Sequence, residues 1–216
     1  MNVLFIGLAR TGWVFDLSLL SRGGMSLKGV VEELAKRYNF AKAPKNELDL
    51  DDQRSLGFRA GTFVGARKVP ITVSLNIYSD GWTADTMSST DESTEFLNDV
   101  TKWLEQAHKL TVPKHTVNYL SQIDFQCEMP LMNLNPFLKP YVKAIQERIG
   151  SKSLLDVAAI QFWTEDLGKP GAPAAFRIER KISAPFSANH YFSQAPLETG
   201  NHIHTLEEFE ELLKQK

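Results

Sequence analysis

One stretch of the chain decides the fold class: Val69-Pro70-Ile71-Thr72-Val73-Ser74-Leu75-Asn76-Ile77-Tyr78-Ser79-Asp80-Gly81-Trp82. Up to Tyr78, apolar side chains alternate with small polar ones, which is typical of a β-strand with one buried face. Ser79-Asp80-Gly81 then supplies turn residues, so that a second strand can return from Trp82. The stretch predicts an antiparallel hairpin with one apolar face on a core and one polar face left open.

The elements around this hairpin occur twice in the chain. The first half reads as a strand at 3–6, a helix at 26–38, strands at 56–65, 69–78 and 82–87, and a helix from residue 90. The second half reads as a strand at 117–127, a helix after Asn135-Pro136 that Gly150 stops, strands at 157–163, 174–182 and 189–193, and a helix from residue 205. Ser26 and Thr205 are the predicted N-cap residues of two of these helices.

Two copies of strand, helix, three strands and helix predict an α+β fold, in which one antiparallel-rich sheet carries helices on one face. We expect the first pseudo-repeat at residues 1–112 and the second at residues 113–216, as one continuous structural unit because no Ser- or Gly-rich linker separates them. The element order is similar to that of tandem folds of the TATA-binding-protein type. This resemblance implies a fold and no function.

A second resemblance lies near the C-terminus. The runs Phe176-Arg177-Ile178-Glu179-Arg180-Lys181 and Tyr191-Phe192-Ser193-Gln194-Ala195-Pro196-Leu197-Glu198-Thr199, with His202, are similar to a pattern of uncharacterised bacterial proteins. The resemblance implies a bacterial or phage-related origin. It carries over no activity.

Composition limits the classes of partner. Lys and Arg number 24 against 26 Asp and Glu, so the net charge is −2 and the chain lacks the basic excess that drives duplex nucleic-acid binding. The apolar run at 3–9 is too short for a membrane span and lacks the basic start of a secretion signal. We therefore expect a cytoplasmic protein with neither duplex nucleic acid nor membrane as partner. Gly7 and Gly12 predict a turn after the first strand.

Strand alternation identifies candidate ligand-binding residues. Asn76, Gln126, Arg177 and Lys181 are predicted on the sheet face that points away from the helices. That face is either ordinary hydrated surface or a docking surface for a protein, a second copy or a small anionic ligand. Arg180 instead shares the parity of the core residues, where an unpaired charge is costly. A bulge, an acidic partner or an anionic ligand would resolve this conflict.

The histidines are weak metal candidates. His202-x-His204 is predicted to place two imidazoles on one side of an extended segment, with His190 nearby in sequence. No HExxH or paired-Cys motif accompanies them, so we expect no metal and no cofactor. Ser193 with His190 or His202 could form a catalytic pair, but the sequence lacks a nucleophile-elbow motif.

The sequence as a whole favours a non-enzymatic binding or assembly module, which engages a protein partner or its own copy through the polar sheet face or a sheet edge. A first alternative is binding of a small anionic ligand such as a nucleotide near Arg177, Arg180 and Lys181. A second is a metal-dependent hydrolase that uses His190, His202 and His204.

Overall fold

The computed structural model describes residues 1–16, 27–44, 56–150, 154–165 and 172–215. The predicted cap Ser26 and most of the loop predicted at 168–173 lie outside these residues. The elements are β1 (Asn2–Val14), α1 (Leu27–Arg37), β2 (Leu56–Val64), β3 (Pro70–Tyr78), β4 (Gly81–Thr86), α2 (Thr90–His108), β5 (Thr116–Gln126), α3 (Leu138–Ile149), β6 (Ala159–Phe162), β7 (Phe176–Arg180), β8 (His190–Ala195) and α4 (Thr199–Lys214).

The element order confirms the predicted α+β fold with two pseudo-repeats. Each repeat contributes a strand, a helix, three strands and a helix. The strands form one sheet in the order β2-β3-β4-β1-β5-β8-β7-β6, so the second four strands repeat the order of the first four in reverse. The pairs β1/β4, β2/β3, β3/β4, β6/β7 and β7/β8 are antiparallel.

The contacts within the chain divide it into two units. Unit 1 contains Met1–Gly7, Gln122–Pro196 and Gly200–Lys216, and unit 2 contains Leu8–Ser121 and Leu197–Thr199. Each of the strands β1 and β5 therefore contributes residues to both units. The division of the chain at residue 112 stays a prediction.

The core of unit 2 follows from the alternation in the predicted hairpin. Val73 and Leu75 on β3 are fully buried and pack with Leu34 of α1 and with Phe96 and Leu97 of α2. Helix α2 is fixed at its start by Ser89, whose side chain accepts a hydrogen bond from the amide of Glu92, as an N-cap residue does. The helices of this unit lie on the apolar side of the hairpin strands.

The turn at Gly81 tolerates only glycine. Its φ is +146°, and a Cβ built there would collide with the carbonyl oxygen of Trp13 on the neighbouring strand. A residue with a Cβ would be strained in that backbone conformation and so close to the neighbouring strand. The predicted turn residue thus permits the close approach of β1 and β4 at this point.

The core of unit 1 is built in the same way. Ile123 and Phe125 on β5, Ile178 on β7 and Tyr191 on β8 pack with Leu206 of α4, among others. All five are fully buried. Cys127 is buried beside them, and burial raises the pKa of its thiol to about 12.

Helix α3 differs from the prediction. Gly150 ends it in the left-handed conformation, as expected from the sequence. Its apolar residues recur at the helical spacing that predicts one buried face, yet none of the residues Leu138–Ile149, all of which the structure describes, is buried. Tyr141 is 63% exposed and Ile149 is 64% exposed. Val142 and Ile145 are half-buried, so the apolar stripe of this helix is only partly covered.

Candidate functional site

One face of unit 1 carries most of the predicted binding residues. We call it the unit 1 polar face. It consists of the side chains that alternate with the core residues of three neighbouring strands and of one residue after β7: Gln122, Asp124, Gln126, Arg177, Glu179, Lys181, His190, Phe192 and Gln194.

Asp124 is the centre of one cluster on this face. Its residue is only 5% exposed, and its Oδ2 lies 2.6 Å from Nζ of Lys181 and 3.8 Å from Nε2 of His190. A carboxylate removed from water needs such a cation beside it. Lys181, one of the predicted ligand residues, is thus already paired within the chain.

Arg177 anchors a second cluster. Its Nη1 lies 3.2 Å from Oε1 of Glu179, and its Nη2 donates to the side-chain carbonyl of Gln194 at 3.4 Å. The same carbonyl accepts a hydrogen bond from Gln122 at 2.9 Å. Phe192 lies under both Arg177 and Lys181, with its ring centroid 5.4 Å and 5.9 Å from the two charged groups. The face is therefore a network of matched charges and amides.

Arg180 lies on the other side of the strand, as its parity predicts. Its Nη2 contacts Oδ2 of Asp156 at 2.5 Å, and its Nε and Nη1 donate to the carbonyl oxygens of Val157 and Phe186, each at 3.1 Å. The side chain is 7% exposed and also stacks on Tyr191, whose ring centroid is 5.3 Å away. Of the three outcomes that the sequence allowed, the structure has the acidic partner.

Two further predicted ligand residues differ in setting. Gln126 lies at a surface depression of about 400 Å³ in unit 1, where its amide donates to the carbonyl of Ala188 at 2.9 Å. Asn76 belongs to unit 2 and is only 2% exposed. A Cβ at the neighbouring Gly57 would lie 3.5 Å from the guanidinium of Arg59 and 3.6 Å from Oδ1 of Asn76, which are ordinary contact distances.

The expected pair of histidines on an extended segment is wrong. Helix α4 begins at Thr199, six positions before the predicted cap Thr205. Residues two apart on a helix point about 200° apart. His202 is accordingly fully buried, whereas the side chain of His204 is 71% exposed and lies near Glu207 and Glu208. Among the described residues no group of three His, Cys, Asp or Glu could hold a metal ion.

A contact with a distant helix accompanies the early start of α4. Thr199 and Thr90 exchange hydrogen bonds: the amide of Thr90 donates to Oγ1 of Thr199 at 3.0 Å, and the amide of Thr199 donates to Oγ1 of Thr90 at 2.9 Å. Each threonine thus supplies an acceptor at the start of a helix, where backbone donors lack partners.

Ser193 and His202 form a buried pair. Oγ of Ser193 lies 2.8 Å from Nε2 of His202, and both residues are fully buried. The hydroxyl donates its proton to the carbonyl oxygen of Arg177 at 2.9 Å, so His202 donates to the hydroxyl. Burial lowers the pKa of His202 to about 4. This geometry suits a structural contact and leaves no path for a substrate to the serine.

The buried histidine predicts a specific acid sensitivity. Because the pKa of His202 is about 4 when folded and near 6.5 when unfolded, the unfolded state takes up the proton first as pH falls. The free energy of unfolding therefore falls by about 3 kcal/mol in all as the pH falls from 6.5 toward 4. His202→Gln keeps a donor at the same place without titrating. We expect denaturant unfolding of this variant to lose about 3 kcal/mol less than the parent between pH 7 and pH 4; an equal loss in both proteins would exclude His202 as the cause.

The outer edge of β6 is a feature that the sequence did not identify. β6 is the last strand in the sheet order, and the amide of Arg180 donates to the carbonyl of Ala158 at 2.8 Å. Because backbone groups alternate in direction along a strand, those of Ala159, Gln161 and Trp163 point away from β7. No backbone hydrogen bond reaches them from any residue that the structure describes.

The other edge of the sheet offers a contrast. β2 is covered by residues 38–42: the amide of Arg59 donates to the carbonyl of Lys42 at 2.9 Å, and the amide of Thr62 donates to the carbonyl of Tyr38 at 2.7 Å. β2 also carries a bulge between Phe58 and Gly61. Bulges and covering segments are the usual protection of an edge strand.

Aromatic side chains flank the outer edge of β6. Phe162 is 57% exposed and contacts Phe176 at 6.0 Å between ring centroids, while Trp163 is 63% exposed. β6 contains no charged residue and no proline, the two residue classes that protect edges most often. The outward backbone groups and these two side chains form what we call the β6 edge surface.

Comparison with known proteins shows no family for this chain. No protein-family model and no curated protein matches the chain. Among solved structures it is similar to the TBP of Methanococcus jannaschii, with 11% sequence identity over 99% of this chain and 96% of that chain and a TM-score of 0.42. At this TM-score the likeness carries no argument about this chain. The resemblance to uncharacterised bacterial proteins stays a prediction. None of the described helices is long and apolar enough to span a membrane.

Proposed function

We propose that the chain is a protein-binding or assembly module that docks its partner at the β6 edge surface. The observation that carries this proposal is a row of backbone donors and acceptors, at Ala159, Gln161 and Trp163, that no described residue pairs. Such a row is the usual acceptor for an added β-strand. The exposed Phe162 and Trp163 would supply apolar contacts on either side of that strand.

The paired cations of β7 and of the residue after it favour this function over binding of a small anion. Arg177, Arg180 and Lys181 each have a carboxylate oxygen within 3.2 Å. An incoming phosphate or carboxylate would therefore have to displace an existing ion pair, which reduces the net gain.

Site-specific photocrosslinking tests the proposed function. A benzoylphenylalanine placed at Phe162 is expected to form protein adducts in cells that make the chain naturally. The control is the same residue at Val64, which is 55% exposed on the covered strand β2 and so matches Phe162 in exposure. Adducts that are no more abundant from position 162 than from position 64 would overturn the proposal.

A further inference from the structure

The β6 edge surface is complementary to itself. Side chains of Ile160 and Phe162 lie on the helix side of the sheet, beside Ile178 and Phe176. Gln161 therefore lies on the polar side, and Ala159 and Trp163 follow it by alternation. A strand that pairs with β6 must therefore present apolar side chains on the helix side and suitable partners for Ala159, Gln161 and Trp163 on the polar side.

One antiparallel register meets both requirements. If Gln161 lies opposite Gln161 of a second copy, then Ala159 lies opposite Trp163 of the second copy, and these are the residues whose backbone groups point outward. The two glutamine amides can hydrogen-bond to each other, and the large indole lies over the small methyl group. On the other side Ile160 meets Phe162 of the second copy in a closely spaced pair, where apolar contacts are strongest.

Charge does not oppose this register. The strand Ala159–Phe162 carries no ionic side chain, so no like charges lie opposite each other within it. A two-fold axis perpendicular to the sheet at Gln161 relates the copies, which makes the interface isologous and closed. Pairing about this axis buries the exposed ring of Phe162 in both copies.

We propose that two copies of this chain pair through β6, antiparallel about a two-fold axis at Gln161, and so extend the sheet across the interface. The inference rests on the proposed function and names the partner as a second copy. The β2 edge, covered by residues 38–42, takes no part.

Light scattering on three proteins tests the pairing. The parent chain and Gln161→Thr, which keeps the backbone N–H, are expected at twice the chain mass of 24.3 kDa. Gln161→Pro is expected at 24.3 kDa, because it loses an outward donor to which no described residue supplies an acceptor. Gln161→Lys repeats the test without proline, because it places two ammonium groups opposite each other across the axis. This variant is expected at the lower mass, and at high salt it is expected to regain the doubled mass.

The outcomes separate the two proposals. A parent chain that stays at 24.3 kDa at all concentrations, or Gln161→Pro and Gln161→Lys variants that keep the doubled mass, would overturn the pairing. If a monomeric parent nevertheless crosslinks from position 162 to a different protein, the docking function stands and only the second copy is excluded. If it is monomeric and forms no adduct, both proposals fail.

Discussion

Asp156→Ala is expected to lower the free energy of unfolding by about 3 to 5 kcal/mol, because it leaves the guanidinium of Arg180 without its carboxylate. The Arg180 side chain is only 7% exposed, so water cannot replace the lost charge. The carbonyls of Val157 and Phe186 would still accept hydrogen bonds, but they do not neutralise the charge. Denaturant unfolding measures the effect as a lower midpoint.

Two variants control this prediction. Glu207→Ala removes a carboxylate whose side chain is 60% exposed, and it is expected to change stability by less than about 0.5 kcal/mol. Asp156→Leu combined with Arg180→Met removes both charges and is expected to recover most of the loss. A double variant that is no more stable than Asp156→Ala would show that the loss does not come from an unpaired charge.

Phe96→Ala is expected to be equally damaging, at about 3 to 5 kcal/mol. Phe96 is fully buried on α2 and its ring lies 4.9 Å from that of Tyr38 and 5.4 Å from that of Phe63, between centroids. Its removal opens a cavity in the core of unit 2. Phe137→Ala is the matched control, since Phe137 is 91% exposed and should change stability little. Similar losses from both variants, measured by thermal or denaturant unfolding, would contradict the assigned core.

The fold could be predicted because its signals are local. The alternation from Ile71 to Ile77 and the turn residues before Trp82 determine a hairpin, and the same series of elements then recurs. Where a local residue pattern and a contact with a distant strand favoured different structures, the contact determined the structure. Gly7 and Gly12 predicted a turn, yet β1 continues through both, and Gly12 pairs with Thr83 of β4.

The site could be predicted less well, because it depends on distant parts of the chain. Strand parity showed that Arg180 needs a partner but could not identify Asp156, which lies 24 positions away in a segment without strand character. The β6 edge surface depends on the strand order, which no single segment encodes. One sequence signal was available. Phe162 and Trp163 are consecutive, so their side chains lie on opposite faces of the strand and a single core cannot bury them both.

Residue-resolved hydrogen exchange at the two sheet edges tests the central claim most directly. The amides of Arg59 and Thr62, held by residues 38–42, are expected to exchange slowly at every protein concentration. The amide of Gln161 is expected to exchange rapidly in dilute protein and slowly in concentrated protein, as β6 acquires its partner strand. A Gln161 amide whose exchange does not respond to concentration would contradict the account.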